Sequence, residues 1–338
     1  MLQARLLAPG ELELTDVPVP DPGPGELLVK VELALTCGTD LKMYQRGHPR
    51  LPVPAPFGHE MAGTVAGVGA GVRGFREGDR IASVPTAPCG ACRYCRHGRE
   101  NLCAEAVRRI ALGAYAEYMV LPEPVVRMHV FPRPPGLSAE NAAGLEPLAC
   151  VVHGASRVRM ADARSVVLLG DGPIAILFVQ LARLRGASAI LVAGRHPQRL
   201  QSAAAFGAST THLEGSALQA IVQDTLGGAD LVIECVGRTA TWEEAQRLAA
   251  PGGEVLLYGG CPAGSRAPFD TDRLHYEEID LKGAFHYTPR AVREALALLA
   301  NGSVSVDRLV THRRPLRELP DALALAFRRE ALKVAVVP

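Results

Sequence analysis

Much that would identify other protein classes is absent from this 338-residue chain. No apolar run approaches the roughly 20 residues needed to cross a bilayer, so a membrane protein is not expected. The N-terminus, Met1-Leu2-Gln3-Ala4-Arg5-Leu6-Leu7, meets Pro9-Gly10 without the charged region, apolar stretch and cleavage site of a secretory leader. The expected location is therefore the cytoplasm. Net charge is lacking as well: 36 Lys and Arg against 35 Asp and Glu leave a formal +1. No global field then favours nucleic acid or an anionic membrane, and neither is an expected partner. Lysine is scarce beside arginine, and the arginines are scattered instead of forming a phosphate-binding face. Internal repeats and low-complexity tracts are missing too.

What is present reads as a globular protein long enough for two domains, with 48% hydrophobic and 21% charged residues. The first half is rich in Gly, Pro and short β-branched stretches such as Leu27-Leu28-Val29-Lys30-Val31. Recurrent turn residues between them predict an irregular, mostly antiparallel β domain. Pro132-Arg133-Pro134-Pro135-Gly136 marks a stiff connection, and Ser138 is the expected N-cap of a following helix. Near residue 160 the texture changes. Ser165-Val166-Val167-Leu168-Leu169 reads as a buried parallel strand. A helix is expected from Ile174 to about Leu184, a strand over Ala189 to Ala193, and a helix over Gln198 to Phe206. A short strand near Thr211, a helix over Ala217 to Leu226 and a strand over Asp230 to Glu234 follow. A helix around Trp242 to Leu248 and a strand over Glu254 to Tyr258 complete the pattern. Alternating strands and helices give an α/β, doubly wound parallel sheet. The expected division is 1–150 with 286–338 returning to it, and 151–285 between them. A helix at Arg290 to Leu299 is expected to bridge the two.

Eight cysteines without a secretion signal favour metal over disulfides. Cys89, Cys92, Cys95 and Cys103 are spaced by three, three and eight. Four thiolates close a tetrahedral zinc site with no open position, a structural centre. Gly90 and Gly98 let the backbone fold around such an ion. A nucleic-acid-binding zinc ribbon is disfavoured, since the cluster is a loop inside a larger near-neutral domain. Cys37, His59 and Glu146 offer S, N and O, the three ligands that a catalytic zinc takes while keeping a fourth position open. Cys150, Cys235 and Cys261 are expected to be small buried hydrophobes.

With these motifs in view, the chain resembles the zinc-containing medium-chain dehydrogenase/reductase family, which includes alcohol, sorbitol and threonine dehydrogenases. The matching stretches are Cys37-Gly38-Thr39-Asp40, Gly58-His59-Glu60-Met61-Ala62-Gly63-Thr64-Val65, Gly78-Asp79-Arg80-Ile81, the four-cysteine loop and Leu309-Val310-Thr311-His312. The resemblance covers essentially the whole chain. It implies a GroES-like catalytic domain, a Rossmann domain and an active site in the cleft between them. It also implies two zinc ions per chain, a homodimer or homotetramer, and hydride transfer between NAD(P) and an alcohol. Glu146-Pro147-Leu148-Ala149 is similar to the polyol, sorbitol-like branch. In that branch the residue at Glu60 is an alternate ligand or water holder, Asp40 orients the ligand histidine, and Thr39 touches the substrate oxygen. Many relatives carry a relay histidine where this chain has Lys42, read here as a solvated lysine. Tyr44, His48 and Phe57 are candidates for the pocket or for the core.

Gly170-Asp171-Gly172-Pro173-Ile174-Ala175 follows a strand and opens a helix, as a pyrophosphate-binding turn does. Val236, in Glu234-Cys235-Val236-Gly237, is expected to line the nicotinamide cleft. An NAD site should carry an acid at the end of the second strand. The chain has Gly194 there, then Arg195, with Arg199 nearby. An arginine pairs with a 2′-phosphate that an acid would repel, so NADP(H) is expected to be preferred, with NAD(H) possible. The expected function is hydride transfer between NAD(P) and a secondary alcohol, polyol or sugar alcohol and its ketone. The alternatives are an amino alcohol such as L-threonine as substrate, a zinc-free quinone or enoyl reductase, and a non-catalytic protein keeping the scaffold.

Overall fold

The computed structural model describes residues 1–48, 51, 53–213 and 217–338. The chain forms two compact units, Met1–Ala149 with Tyr287–Pro338, and Cys150–His286.

The first unit is built on a seven-stranded sheet. Its central strand, Leu27–Leu35, is the apolar stretch noted above. It pairs antiparallel with Met61–Val68, Tyr118–Leu121 and Lys333–Val337. Beyond these lie Arg80–Ser83 and Val130–Pro132 on one side and Val310–Pro315 on the other. The chain's last strand thus completes the sheet begun near its start. Gly63 allows the close approach of two strands: a Cβ there would lie 2.4 Å from Val29 Cγ1 and 2.6 Å from the Lys30 carbonyl oxygen. Val29, Phe57, Val65, Ile81, Tyr115 and Val334 are in the core. A smaller sheet joins Leu2–Ala8 to Glu11–Asp16 and Ala55–Pro56. Ser138 caps the helix Ala139–Ala143, its Oγ accepting from the Asn141 N–H at 3.1 Å. The helix Pro289–Ala300 belongs to this unit.

The second unit holds six parallel strands. Their order is Thr210–Leu213, Ala189–Gly194, Ser165–Leu169, Ala229–Glu234, Ala249–Leu257 and Asp280–Gly283. In chain order this is 3-2-1-4-5-6, the doubly wound arrangement expected. Val166, Val167 and Leu168 are fully buried, as continuous apolar strands in such a sheet must be. Two boundaries differ from expectation. The strand expected from Glu254 begins at Ala249, because Ala249 pairs with Ala229 across a register shift. The helix expected from Trp242 begins at Thr239, where the Thr241 hydroxyl oxygen accepts from the Arg238 N–H. The edge strand Asp280–Gly283 was not expected, since its short polar sequence carries no apolar run.

Candidate active site and metal centres

Cys37-Gly38-Thr39-Asp40 opens a helix, Gly38–Arg46, with Cys37 as its N-cap. The Cys37 sulfur accepts from the Thr39 N–H at 3.4 Å, and Asp40 Oδ2 accepts from the Cys37 N–H at 3.2 Å. The turn is a capping box, and it holds the thiol at the helix start. His59 and Glu60 immediately precede the strand Met61–Val68. The ligand atoms of Cys37, His59 and Glu60 all lie within 4.8 Å of one another, with Glu60 buried and Cys37 half-buried. Glu146 sits in the first turn of the helix Leu145–Ala155, buried, outside that three-residue set but near enough for its charge to act on Glu60. Glu60, expected as the alternate ligand, is thus the carboxylate grouped with Cys37 and His59. Thr39 and Lys42 are half-buried on the same helix. Phe57 is fully buried against Tyr115, and Tyr44 packs on Phe327, so both serve the core.

Two interactions order this cluster. His59 Nδ1 lies 3.0 Å from Asp40 Oδ1, which leaves Nε2 facing Cys37. Tyr115 donates its hydroxyl to Asp40 Oδ2 at 2.6 Å. Gly58 makes room for the tyrosine: its φ is +89°, and a Cβ there would meet the ring at 2.7 Å. On the other side Lys333 Nζ donates to Glu60 Oε2 at 2.5 Å and to the Thr36 carbonyl at 3.1 Å.

The electrostatics follow from burial. Burial, then the Glu60 charge, raises the Cys37 thiol. Glu60 is pushed up to about 7 by burial, against the pull of Lys333. Burial works against a charge on His59, but Asp40 and Cys37 outweigh it and raise the imidazole well above its ordinary value. Lys333 is also raised; burial opposes its charge, and Glu60 overcomes it. Among the described residues, Glu60 Oε1 has no hydrogen-bond partner. A divalent cation of borderline softness fits this set: S, N and O donors converge, and an orphaned carboxylate oxygen is at hand.

The second cluster is independent of the first. The sulfurs of Cys89, Cys92, Cys95 and Cys103 lie within 4.8 Å of one another around the short helix Arg93–Arg96. Gly90 and Gly98 turn the chain with φ of +72° and +68°. Cys89 falls to about 6 because the Ala91 and Cys92 N–H groups stabilise its thiolate. Cys95 is pushed up to about 12 by burial and by Cys92. Both shifts describe thiols crowded into a closed tetrad, the donor set of a structural zinc. Cys150, Cys235 and Cys261 are half-buried, not sealed in the core.

In the second unit, Gly170 has a φ of +116°, and a Cβ there would lie 3.2 Å from Val236 Cγ2. Gly170 and Val236 thus meet at the ends of neighbouring strands. Gly172 is the N-cap and Pro173 the first residue of the helix Pro173–Leu184, with Ile174 next. Glu234 Oε1 accepts from the Val236 and Gly237 N–H groups at 2.8 Å each, fixing that turn. Gly194 ends its strand; Arg195 beyond it is exposed, while Arg199 is buried. Asp171 lies beneath this turn and accepts from the Arg195 N–H at 2.8 Å.

Residues 23–132 match the alcohol dehydrogenase GroES-like domain family, and residues 173–301 match the zinc-binding dehydrogenase family. A sorbitol dehydrogenase from Bacillus subtilis is 34% identical, over 97% of this chain and 94% of its own length. An L-threonine 3-dehydrogenase from Chromobacterium violaceum is 30% identical, over 98% and 97%. The chain belongs to the zinc-containing medium-chain dehydrogenase family. Its fold agrees with that of a zinc-binding dehydrogenase from Sinorhizobium meliloti bound to NADP: TM-score 0.90, 34% identity, 100% of this chain and 99% of that one. Among the described residues of this dehydrogenase, no helix is long and apolar enough to cross a membrane.

Three residues of the two sites escaped the sequence reading. Lys333 left a signal, a charge in the apolar strand Lys333–Val337, where it needs a buried partner. Tyr115 left none, because its hydroxyl partner is 75 residues away. Asp171 stood between the two glycines of the nucleotide turn and was assigned no role.

Proposed function

We propose that this dehydrogenase oxidises a polyol, sugar alcohol or related secondary alcohol to its ketone, with a catalytic zinc and NADP in preference to NAD. The observation that carries the reading is the convergence of Cys37, His59 and Glu60. Glu146 stands as a further carboxylate whose charge reaches Glu60. The relative named for sorbitol supports the substrate class, and the one named for L-threonine supports an amino alcohol as the second reading. Zinc bound there would act as a Lewis acid, lowering the pKa of a hydroxyl so that it loses its proton near neutral pH.

The chain's own residues do the rest. Asp40 holds His59 through Nδ1 and so sets which ring nitrogen is free. Tyr115 holds Asp40. Lys333 keeps Glu60 Oε2 occupied, and Oε1 has no hydrogen-bond partner among the described residues. Thr39, on the helix that Cys37 caps, is the proposed contact of the substrate hydroxyl and the first acceptor of its proton. Gly170, Gly172, Pro173 and Ile174 form the proposed seat of the coenzyme pyrophosphate, at the start of a 12-residue helix whose first N–H groups have no partner within it. Val236 is the proposed neighbour of the nicotinamide. Gly194, Arg195 and Arg199 are the proposed seat of the 2′-phosphate. Cys89, Cys92, Cys95 and Cys103 are proposed to hold a second, structural zinc, giving two per chain. The working form is proposed to be a homodimer or homotetramer, on family resemblance alone.

The test is coenzyme reduction, followed by absorbance, with polyols, sugars, simple secondary alcohols and L-threonine, each with NADP and with NAD. Turnover of a polyol or sugar class, faster with NADP, is expected. Turnover of L-threonine alone overturns the substrate class, and turnover with NAD alone overturns the coenzyme preference.

A further inference from the structure

Two oddities of the nucleotide turn have one cause. The first turn carries an acid, Asp171, between its glycines. The second strand ends in Gly194, where an NAD site carries an acid. In the structure these positions meet: a Cβ on Gly194 would lie 2.5 Å from Asp171 Cβ and from its Oδ2. The Asp171 side chain fills the space that a side chain at 194 would need. An acid in both places is sterically excluded, so Gly194 is the condition for Asp171 to lie where it does.

Asp171 is 7% exposed, and its Oδ2 is committed. Oδ2 accepts from the Arg195 N–H at 2.8 Å and from the His196 N–H at 2.8 Å, and lies 2.9 Å from His196 Nδ1. Oδ1 faces the Arg199 guanidinium at 4.0 Å. A carboxylate that reads a ribose diol keeps oxygens free for two hydroxyls. This one spends an oxygen on three donors of the protein, and its charge is balanced locally by Arg199. Two backbone N–H groups and a ring on one carboxylate hold the connection between the strand Ala189–Gly194 and the helix Pro197–Ala205 in a single conformation. Arg195 stands on the outside of that connection and Arg199 in the first turn of the helix.

We propose that Asp171 is a positioning residue for coenzyme selection: it braces the Arg195–His196 turn from below, with Arg199 set against its other oxygen, so that Arg195 presents to a 2′-phosphate. The proposal rests on the NADP reading above. It assigns the preference to a first-turn acid and the Gly194 that admits it, acting together, and not to Arg195 alone.

Calorimetric titration of the zinc-loaded enzyme with adenosine 2′,5′-bisphosphate and with AMP separates the two claims. The wild type is expected to bind the bisphosphate about tenfold or more tightly than AMP, the scale of one or two charge-assisted hydrogen bonds. Asp171→Ala is expected to bring that ratio to within about threefold of unity while AMP affinity changes by less than about threefold, a split that general damage to the fold does not produce. Asp171→Asn keeps the shape of the side chain and should fall between, which covers the case in which the alanine variant does not fold. An unchanged ratio in both variants overturns the proposal. So does a selective loss of AMP binding, which would make Asp171 a reader of ribose hydroxyls. A wild-type ratio near one overturns the NADP reading itself, and the bracing role with it.

Discussion

Lys333 is the residue on which the charge balance around Cys37 turns. It is fully enclosed with Glu60, and removing one member of such a pair leaves a buried charge without compensation. Lys333→Met is expected to cost about 3–5 kcal/mol in urea unfolding, and adding Glu60→Gln to recover a good part of it. Additive losses in the double variant would show that the two residues are not coupled. Tyr115 acts one step further out. Tyr115→Phe keeps the packing on Phe57 and removes only the donor to Asp40. About a tenfold loss of zinc affinity is expected in competition with a chelator, the low end for partners that support metal ligands. Wild-type affinity would mean that Asp40 needs no brace. His129 sets an acid limit. It is buried, its Nδ1 lies 2.6 Å from the Thr86 carbonyl, and burial lowers it to about 4. The folded chain then binds this proton less readily than the unfolded chain does. Its contribution is fully present above about pH 6.5 and is lost as pH falls towards about 4, by roughly 3 kcal/mol at most. His129→Phe should flatten that part of the stability–pH curve, and an unaltered curve would count against the assignment.

The elements divide by how far their determinants reach along the chain. The Ser138 cap, the apolar strand Ser165–Leu169 and the glycine turn after it were legible, because each is written in a few adjacent residues. The cysteine tetrad was legible for the same reason. The partners that order the site were not. Lys333 reaches Glu60 across 273 positions, and no local pattern encodes such a contact. The strand Asp280–Gly283 escaped because it sits at the sheet edge, where a continuous apolar run is not required. The tetrad carries its own prediction. Cys103 is buried while Cys89 is exposed, so a single substitution at the buried end should open the loop. Cys103→Ser is expected to lose one zinc and to speed amide exchange over residues 89–108, with the strand Leu27–Leu35 unaffected. Unchanged exchange in the loop would argue that it folds without metal.

At the scale of the whole molecule, two units of different construction come from one chain that leaves the first unit near Ala149 and returns at Tyr287. The unit with the mostly antiparallel sheet carries the Cys37, His59 and Glu60 cluster and the cysteine tetrad. The parallel unit carries the glycine turn and the Asp171 brace. Fold class and family were readable from motifs spread over the full length, whereas the substrate leaves no such signature, because it is read by whatever side chains surround the open position on the metal. We propose that one of two zinc ions does chemistry at Cys37 and the other only holds a loop. Zinc content and coenzyme reduction, measured on the same preparations of wild type and Cys37→Ser, test it directly. The account predicts two zinc ions per chain and turnover in the wild type, and one zinc ion with no measurable turnover in the variant. A variant that keeps both ions, or turns over at the wild-type rate, would contradict it.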